Sequence, residues 1–417
     1  MSDNFKTSHS SPRRYHFAFS VLVSLFFFWG FITCLNDILI PHLKSKFNLS
    51  YFEATLVQFC FFSAYLLISI PAGKMVSRIG YKNGIIVGLV TASGGCLLFI
   101  PAANWEVYGV FLGALFVLAS GITILQVSAN PYVNALGCEQ SASSRLNLSQ
   151  GFNALGTTVA PILGGALILS GSDVGNGDIS SVKLPYLILS LLLIAVAVVF
   201  YKIKMPAISE KRSDHISTLS LLTRYPVLAF GCLSLFAYVG AEVAIGSLLI
   251  NYLGLENIRG LSEQQASQYV TLYWAGAMVG RFVGSAMMKK INPALMLSVN
   301  AVIAFSLLLC VVFLNGDVAF WAILLIGLFN SIMFPTIFSL SLTGTGNYSA
   351  QASGVLCLTI FGGAIIPMVQ GAVADAFGLQ GSFFIPIMSY LVILFFALYV
   401  MKRNALDMRR GAINDPA

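Results

Sequence analysis

Two acidic side chains, Asp37 and Glu242, lie inside hydrophobic stretches that are long enough to cross a lipid bilayer. An acid at mid-bilayer depth costs about 2.5 to 3.5 kcal/mol on insertion scales, so a membrane protein rarely keeps one without a use for it. Such residues face a water-filled cavity or a partner, and they bind protons, cations or substrates. The two acids therefore predict a membrane transporter whose transport is linked to protons or to another cation.

The composition of the chain requires a membrane environment. Of its 417 residues, 57% are hydrophobic and 9% are charged, and the mean hydropathy is +0.85. A soluble domain carries about 25% charged residues, so this chain would have too little polar surface to stay in water. The lipid bilayer is therefore its expected partner.

The sequence predicts neither an enzyme nor a cofactor site. The seven cysteines and four histidines show no spacing that would make a metal or redox site. No stretch has the form G-x4-GK[ST], so ATP is not expected to supply the energy. We expect no catalytic residues, no metal and no cofactor, with H+ as the coupling ion and Na+ as the alternative.

Hydropathy predicts the number of membrane spans. A span needs about 20 apolar residues to cross the hydrocarbon, and the chain supplies twelve such windows. The predicted fold is an all-α membrane protein with 12 transmembrane helices. The windows lie near 17–40, 52–76, 83–101, 107–135, 146–170, 184–203, 225–252, 265–288, 292–313, 319–345, 352–377 and 382–402.

The lysines and arginines predict the orientation. An even number of spans places both termini on one side of the membrane. If that side is the cytoplasm, only Lys44, Lys46, Lys183 and Arg259 of the 23 basic residues fall outside, as the positive-inside rule requires. The net charge of +7 then follows from topology, and no nucleic-acid partner is expected.

One long polar connection divides the chain into two halves. It predicts an N-terminal six-helix half over 1–203, a cytoplasmic linker over 204–224, a C-terminal six-helix half over 225–403 and a cytoplasmic tail over 404–417. Three landmarks recur between the halves at offsets of 204 to 206 residues, which favours two pseudo-symmetric repeats with substrate bound near mid-membrane between them. The landmarks are Asp37 and Glu242, Pro131 and Pro335, and the spacings Gly156-x4-Pro161 and Gly362-x4-Pro367.

The first span has a face suited to a sugar. Trp29, Thr33 and Asp37 follow one another at i, i+4 steps and so share one side of a helix. An aromatic ring can stack on the C–H face of a sugar, while a hydroxyl and an acid can bind the sugar hydroxyls. We expect Trp29 and Asn36 to contact substrate and Asp37 to carry the coupling proton.

A simpler interpretation of Asp37 is available. It lies near the outer end of its helix and could reach the membrane surface beside Lys44. The functional interpretation is favoured because Asn36 and Asp37 come before an expected helix break at Pro41, and because a short aspartate reaches the surface poorly.

Two stripes of amide side chains follow in the fourth and fifth spans. They are the i+4 series Gln126, Asn130 and Asn134 and the i+3 series Asn147, Gln150 and Asn153. Such stripes either bind a polar substrate or join helices by hydrogen bonds worth about 0.6 to 2 kcal/mol each. We expect Asn134 and Asn147 to be structural. The predicted substrate-binding residues are Gln126, Asn130, Gln150 and Asn153.

The second half contributes a similar set. Tyr238 and Glu242 are one helical turn apart in the seventh span. No basic residue lies within the neighbouring turns of that helix, so Glu242 must be protonated, hydrated or paired with another helix. In the tenth span, Asn330 comes shortly before Pro335, which frees a backbone carbonyl that a cavity can use. Tyr238 and Asn330 are therefore predicted to bind substrate.

Several of these stretches together resemble one transporter family. They are NDILIP at 36–41, ANPYV at 129–133, RLNLSQ at 145–150 with Phe152 and Asn153, YVGAE at 238–242 and FPTIFSL at 334–340. The set resembles the fucose–galactose–glucose:proton symporter family of the major facilitator superfamily, and the similarity covers nearly the whole membrane portion. The resemblance implies the major facilitator fold and uptake of a monosaccharide with a proton by alternating access.

The resemblance also assigns roles to single residues. The fucose permeases use a span 1 acid, which matches Asp37, and a span 4 glutamate, which is Gln126 here. Span 7 carries Glu242 where the fucose type has an amide, as in the glucose/galactose branch. Asp37 is then the expected proton carrier, and Glu242 is either a second titrating group or an acceptor for a sugar hydroxyl.

The loop between the second and third spans resembles a superfamily signature. In the stretch GKMVSRIGYK at 73–82, the acid usual in that signature is replaced by Ser77, which removes one partner of the gating salt bridge that the family makes there. The predicted gating residues are Gly73, Arg78, Gly80 and Lys82.

The expected protein is a monomer in the cytoplasmic (inner) membrane of a bacterium, with a small sugar as its substrate. A sodium-coupled hexose symporter is an alternative, because carboxylate and amide oxygens can bind Na+. A proton-coupled solute exporter is another, although the amide stripes argue against a cavity for cationic drugs. A membrane sensor would be expected to carry a signalling domain, which the sequence does not indicate.

Overall fold

A computed structural model describes the backbone of residues 12–46, 51–164, 183–206 and 216–414 and the side chains of residues 16–33, 57–160, 183–206 and 216–406. The regular structure in these ranges is helical throughout, as predicted. The helices of the first half are α1 (Pro12–Lys46), α2 (Tyr51–Ile79), α3 (Tyr81–Trp105), α4 (Tyr108–Ala135), α5 (Ala142–Gly164) and α6 (Lys183–Lys202). Because α1 continues to Lys46, the expected helix break at Pro41 is wrong.

The second half is divided more finely than hydropathy predicts. A short helix, α7 (Thr218–Arg224), lies within the predicted linker and begins where the Ser217 hydroxyl accepts a hydrogen bond from the Ser220 amide. The remaining helices are α8 (Pro226–Leu253), α9 (Glu263–Met287), α10 (Pro293–Phe313), α11 (Gly316–Asn330), α12 (Met333–Leu342), α13 (Ser349–Leu358), α14 (Gly362–Phe377), α15 (Leu379–Ser382) and α16 (Phe384–Asn414).

Two predicted spans are interrupted helices. The tenth span consists of α11 and α12, which are separated at Ser331 and Ile332. Pro335 explains this break, because its ring nitrogen cannot donate to the Ser331 carbonyl one turn earlier. The eleventh span consists of α13 and α14 with a 3-10 turn over Thr359–Phe361 between them. Hydropathy alone does not detect such breaks, since both parts are apolar.

Two helices are more polar than the others. Ten helical segments in the described residues are long and apolar enough to cross a membrane. The two exceptions among the predicted spans are α5 and α9, which are 23 and 25 residues long but carry more polar side chains. Two of these polar side chains, Ser144 on α5 and Ser285 on α9, form hydrogen bonds between the two helices.

The described residues form two compact units that follow the sequence halves except for one segment of each. The first unit contains residues up to Ala142, Phe152–Ile216 and Gly344–Leu358; the second contains Ser143–Gly151, Ser217–Thr343 and the residues from Thr359 onward. We call Ser143–Gly151 the α5 segment and Gly344–Leu358 the α13 segment. Each contacts helices of the opposite half, at the end that the predicted orientation assigns to the cytoplasm.

Within each unit, small residues bring helices close together. In the first unit α3 packs between α4 and α6: a Cβ at Gly121 would lie 2.3 Å from the Ala92 amide nitrogen, and the Ser93 and Ser190 hydroxyls are 2.7 Å apart. In the second unit α8 packs against α12, α14 and α16. These close contacts fix the rotation of each helix and therefore the direction of its polar side chains.

Candidate functional site

Trp29, the substrate candidate of the first span, lies in apolar surroundings, and its contact with substrate stays a prediction. Trp29 is buried, and its ring lies 5.3 Å from that of Phe26. It lines a pocket between α1, α3, α4 and α6 whose other residues are all apolar. The Thr33 hydroxyl donates to the Trp29 and Gly30 carbonyls. The side chains of Asn36 and Asp37 lie outside the described residues, so their roles stay predictions.

The amides of the first unit differ in whether they have a hydrogen-bond partner, and the substrate contact predicted for each stays a prediction. Asn153 donates to the Phe26 carbonyl at 3.0 Å and joins α5 to α1. Asn130 is fully buried, and neither of its amide atoms has a hydrogen-bond partner in the described part of the chain. The same holds for the Gln126 Oε1 atom. Because buried polar atoms are rarely left unpaired, these atoms of Gln126 and Asn130 need a hydrogen-bond partner, and their contact with substrate stays a prediction.

Glu242 is paired across helices, which is one of the three states predicted for it. Its Oε1 atom lies 3.8 Å from Nη2 of Arg281 on α9, and both side chains are largely buried. The sequence reasoning missed Arg281, because it was counted among the cytoplasmic basic residues. A lone arginine inside a predicted span was the signal that could have identified it.

Arg281 also binds two backbone carbonyls. Its Nε atom donates to the Ser331 carbonyl and its Nη1 atom donates to the Gln150 carbonyl, both at 3.3 Å. The Ser331 carbonyl is the one that Pro335 leaves without a helical donor, so the predicted free carbonyl exists and Arg281 occupies it. Gln150 is buried, and its Nε2 atom has no hydrogen-bond partner in the described ranges.

Asn330 forms the centre of a buried tyrosine cluster. Its Nδ2 atom donates to the Tyr273 hydroxyl at 3.1 Å, and its Oδ1 atom accepts a short hydrogen bond from Tyr390. Tyr238, one turn before Glu242, donates to the Asn330 backbone carbonyl at 3.0 Å. Tyr273 and Tyr390 were not predicted. With both amide atoms bound, Asn330 holds α8, α9, α11 and α16 together, and its contact with substrate stays a prediction.

The α5 segment is held by polar contacts. The Ser144 hydroxyl donates to the Ser285 carbonyl at 2.7 Å, and the Ser285 hydroxyl donates to the Ser144 carbonyl at 2.8 Å. One turn later, Asn147 donates to the Thr336 hydroxyl at 3.1 Å. The α5 segment is therefore joined to α9 through Ser144 and Ser285 and to α12 through Asn147.

The α13 segment packs closely against α2. A Cβ at Gly354 would lie 2.6 Å from the Ser69 carbonyl oxygen on α2, and Gly73, a predicted gating residue, faces Gly354 at this crossing. A side-chain hydrogen bond also supports the contact: Ser353 donates to the Val127 carbonyl at 2.9 Å. Pro131 in α4 leaves that carbonyl without its helical donor, as Pro335 does for Ser331.

The other predicted gating residues lie at the turn between α2 and α3. Gly80 has φ +82°, a conformation that favours glycine, and it separates the two helices. Lys82 donates to the Tyr201 carbonyl on α6 at 3.0 Å, and Arg78 lies exposed in the last turn of α2. Lys82 thus secures the end of α6, while a gating role for these residues stays a prediction.

These features are those of a transporter, and comparison with known proteins identifies the family. The chain belongs to the major facilitator superfamily, whose family model matches residues 18–360. The fold is therefore that of 12 transmembrane helices in two halves, and the protein is a multi-pass membrane transporter, not an enzyme.

The chain is similar to named sugar transporters over nearly its full length. It is 53% identical over 405 residues to a protein of Brucella abortus named glucose/galactose transporter, covering 95% of this chain and 97% of that protein. It is 36% identical over 411 residues to the L-fucose-proton symporter of Escherichia coli, covering 93% and 94%. A crystal structure of the transporter FucP in the outward conformation matches with a TM-score of 0.86 and 35% identity, covering 93% of this chain and 99% of that one.

Proposed function

We propose that this protein takes up a hexose, glucose or galactose, together with a proton by alternating access. The observation that carries the proposal is the set of buried amide atoms without a hydrogen-bond partner in the described ranges, on Gln126, Asn130 and Gln150. Sugar hydroxyls both donate and accept hydrogen bonds, so they complement amide groups. The 53% identity to a protein named glucose/galactose transporter supports a hexose as substrate.

Asp37 is the proton carrier in this proposal. An ionised carboxylate resists being enclosed in a dry cavity, so the centre closes only when the acid is neutralised. One charge moving through about 100 mV is worth about 2.3 kcal/mol, which supports roughly 40-fold accumulation of sugar. Glu242, which faces Arg281, binds a sugar hydroxyl or takes a second proton.

The proposed setting is the cytoplasmic (inner) membrane of a bacterium. The bacterial relatives and the distribution of basic residues support it, with both termini in the cytoplasm. The protein acts as a monomer within the lipid bilayer and uses H+ and no cofactor.

Uptake of labelled glucose, galactose and fucose into proteoliposomes tests the proposal. An inward proton gradient is expected to drive accumulation of glucose or galactose, and a protonophore is expected to abolish it. Accumulation that follows a sodium gradient instead would replace the coupling ion. If neither gradient drives uptake of any of the three sugars, hexose symport is wrong.

A further inference from the structure

Arg281 contacts acceptors on three parts of the second unit. Its guanidinium lies 3.8 Å from Glu242 on α8 and donates to Gln150 in the α5 segment and to Ser331 between α11 and α12. A planar group with five N–H donors can serve all three acceptors at once. We propose that Arg281 is a positioning residue that transmits the state of Glu242 to the α5 segment. This inference rests on the proposed function.

The three contacts of Arg281 are loose enough to change. Charge-assisted hydrogen bonds are commonly about 2.7 to 2.9 Å long, whereas those of Arg281 to Gln150 and Ser331 are both 3.3 Å and its distance to Glu242 is 3.8 Å. The guanidinium lies between its acceptors without closing on any one of them. A small displacement therefore redistributes its bonds.

One of the three acceptors is fixed within the C-terminal half. Pro335 removes the helical donor from the Ser331 carbonyl, so this oxygen is available to Arg281 whatever the other two acceptors do. Gly280 lets α9 approach this break, since a Cβ there would lie 2.6 Å from the Leu328 carbonyl oxygen. The Ser331 contact therefore anchors Arg281, and the Glu242 and Gln150 contacts vary.

The carboxylate of Glu242 stabilises the guanidinium in this position. The two side chains are only 16% and 13% exposed, and a buried charge without a partner is strongly unfavourable. When Glu242 takes up a proton, or turns toward a sugar hydroxyl, Arg281 loses that compensation. It then moves toward water at the nearer, cytoplasmic end of α9 and releases the Gln150 carbonyl.

The release has the direction that symport requires. When Glu242 is ionised and binds no sugar, Arg281 holds the α5 segment against α9 and α12, at the end assigned to the cytoplasm. When Glu242 carries a proton or binds a sugar hydroxyl, the α5 segment loses the charged hydrogen bond from Arg281 and separates more easily. The loaded protein therefore opens toward the cytoplasm more readily than the empty one.

Hydrogen exchange of the amides at 143–151 tests the proposal on the full-length protein in lipid nanodiscs. Arg281→Gln is expected to raise their exchange about tenfold, the effect of losing one hydrogen bond to a charged group. Glu242→Gln is expected to raise it to a similar extent. The double variant E242Q/R281Q should exchange no faster than R281Q, because both changes act through the same guanidinium.

The matched control is Arg259→Gln, which removes another arginine of the same half whose Nη2 lies 2.6 Å from Asp317. It should leave exchange at 143–151 unchanged. Unchanged exchange in R281Q, or effects of E242Q and R281Q that multiply in the double variant, would overturn the proposal.

A second variant keeps the test decisive if R281Q does not fold. Arg281→Lys retains the charge but lacks the planar fork, so it should raise exchange at 143–151 by less than tenfold. An exchange rate in R281K equal to that of the wild-type protein would contradict the proposal.

A transport measurement gives a second test. The variant R281Q should reduce gradient-driven accumulation of sugar more than it reduces sugar counterflow. Failure of the wild-type protein to transport any hexose would remove the proposed function, whereas the exchange results would still show whether Glu242 acts through Arg281.

Discussion

The α5 and α13 segments are repeat-related parts of the chain that contact the opposite half in different ways. Residues 143–151 correspond to 349–357 at the offset of 206 that relates the two glycine-proline spacings. The contacts of the α5 segment include paired serines, Asn147 and Arg281, whereas those of the α13 segment include a glycine crossing and the Ser353 hydrogen bond. Two copies of one architecture have thus acquired different chemistry.

The two segments differ in whether a charged side chain contacts them in the repeat-related position. At the offset of about 205 residues that relates the two halves, the position equivalent to Arg281 lies at or next to Val76, a buried apolar residue of α2. The contacts of Gly354 and Ser353 in the α13 segment are close packing and a neutral hydrogen bond, which respond little to a proton or a sugar. The α5 segment is joined through Arg281 to a carboxylate. We therefore expect the α5 segment to respond to ligand and the α13 segment to act as a constant support.

The largest effect is expected from a substitution of Asp37, the acid of the first half. The substitution tests whether the contact between Glu242 and Arg281 is sufficient by itself to couple transport to protons. Asp37→Asn should abolish gradient-driven sugar accumulation and leave sugar counterflow measurable, because a neutral side chain no longer needs a proton before the centre closes. The measurement is uptake and counterflow in proteoliposomes. The control is Asp375→Asn, an exposed acid of α14. Equal loss of both activities would make Asp37 a structural or binding residue.

Added side-chain volume should weaken the docking of the α13 segment more than that of the α5 segment. Gly354→Val would place its Cβ 2.6 Å from the Ser69 carbonyl oxygen, and backbone atoms cannot move aside cheaply. We expect the free energy of docking of this segment to become less favourable by about 3 kcal/mol, as for a severe overpacking substitution. Uptake of sugar should then be much slower. Hydrogen exchange over 349–358 measures the docking directly.

Gly371→Val is the control for that substitution, because no atom lies within 4 Å of a Cβ at Gly371 on α14. It should leave exchange over 349–358 unchanged. A wild-type rate of exchange in G354V would show that the α2–α13 crossing is not what holds the α13 segment.

Removal of hydroxyl groups should weaken the docking of the α5 segment more than that of the α13 segment. The double substitution S144A/S285A deletes both reciprocal hydrogen bonds, each worth about 1 kcal/mol net, and should raise exchange over 143–151 about tenfold or more. Ser306→Ala serves as the control, since that hydroxyl bonds only within its own exposed helix turn. An unchanged exchange rate would mean that packing alone holds the α5 segment.

The smallest effect is expected from Ser353. Ser353→Ala removes the side-chain donor to the Val127 carbonyl and should cost about 1 kcal/mol, or roughly a fivefold increase in exchange over 349–358. The glycine crossing should keep the α13 segment docked. If S353A instead disrupts docking as strongly as G354V, the contrast between a packed and a polar contact is wrong.

Much of the fold could be predicted because hydropathy is a local property. The twelve spans, the polar connection and the repeat landmarks follow from residue types along the chain, and the superfamily match agrees with them. The free carbonyl near Pro335 was also predictable, since the missing N–H belongs to proline itself. The short helix α7 was missed because seven residues make too weak a pattern.

The candidate site could be predicted in part. Glu242 was identified by its cost in the membrane, and the buried amides by their spacing. Their partners were not identified, because Arg281 lies 39 positions from Glu242 and Tyr390 lies 60 positions from Asn330. Asn153 and Asn330 have the same amide chemistry as Asn130, yet they bond a backbone carbonyl and two tyrosines, while Asn130 has no partner in the described ranges.

Residue types along the chain were enough to predict a membrane transporter with acids, amides and prolines at set positions in its helices. The folded structure was needed to find which of these groups bind each other, which buried amide atoms have no partner in the described ranges, and which segment of each half contacts the opposite half. The cost of burial depends on the residue type, whereas pairing depends on the rotation and close approach of helices that are distant in sequence.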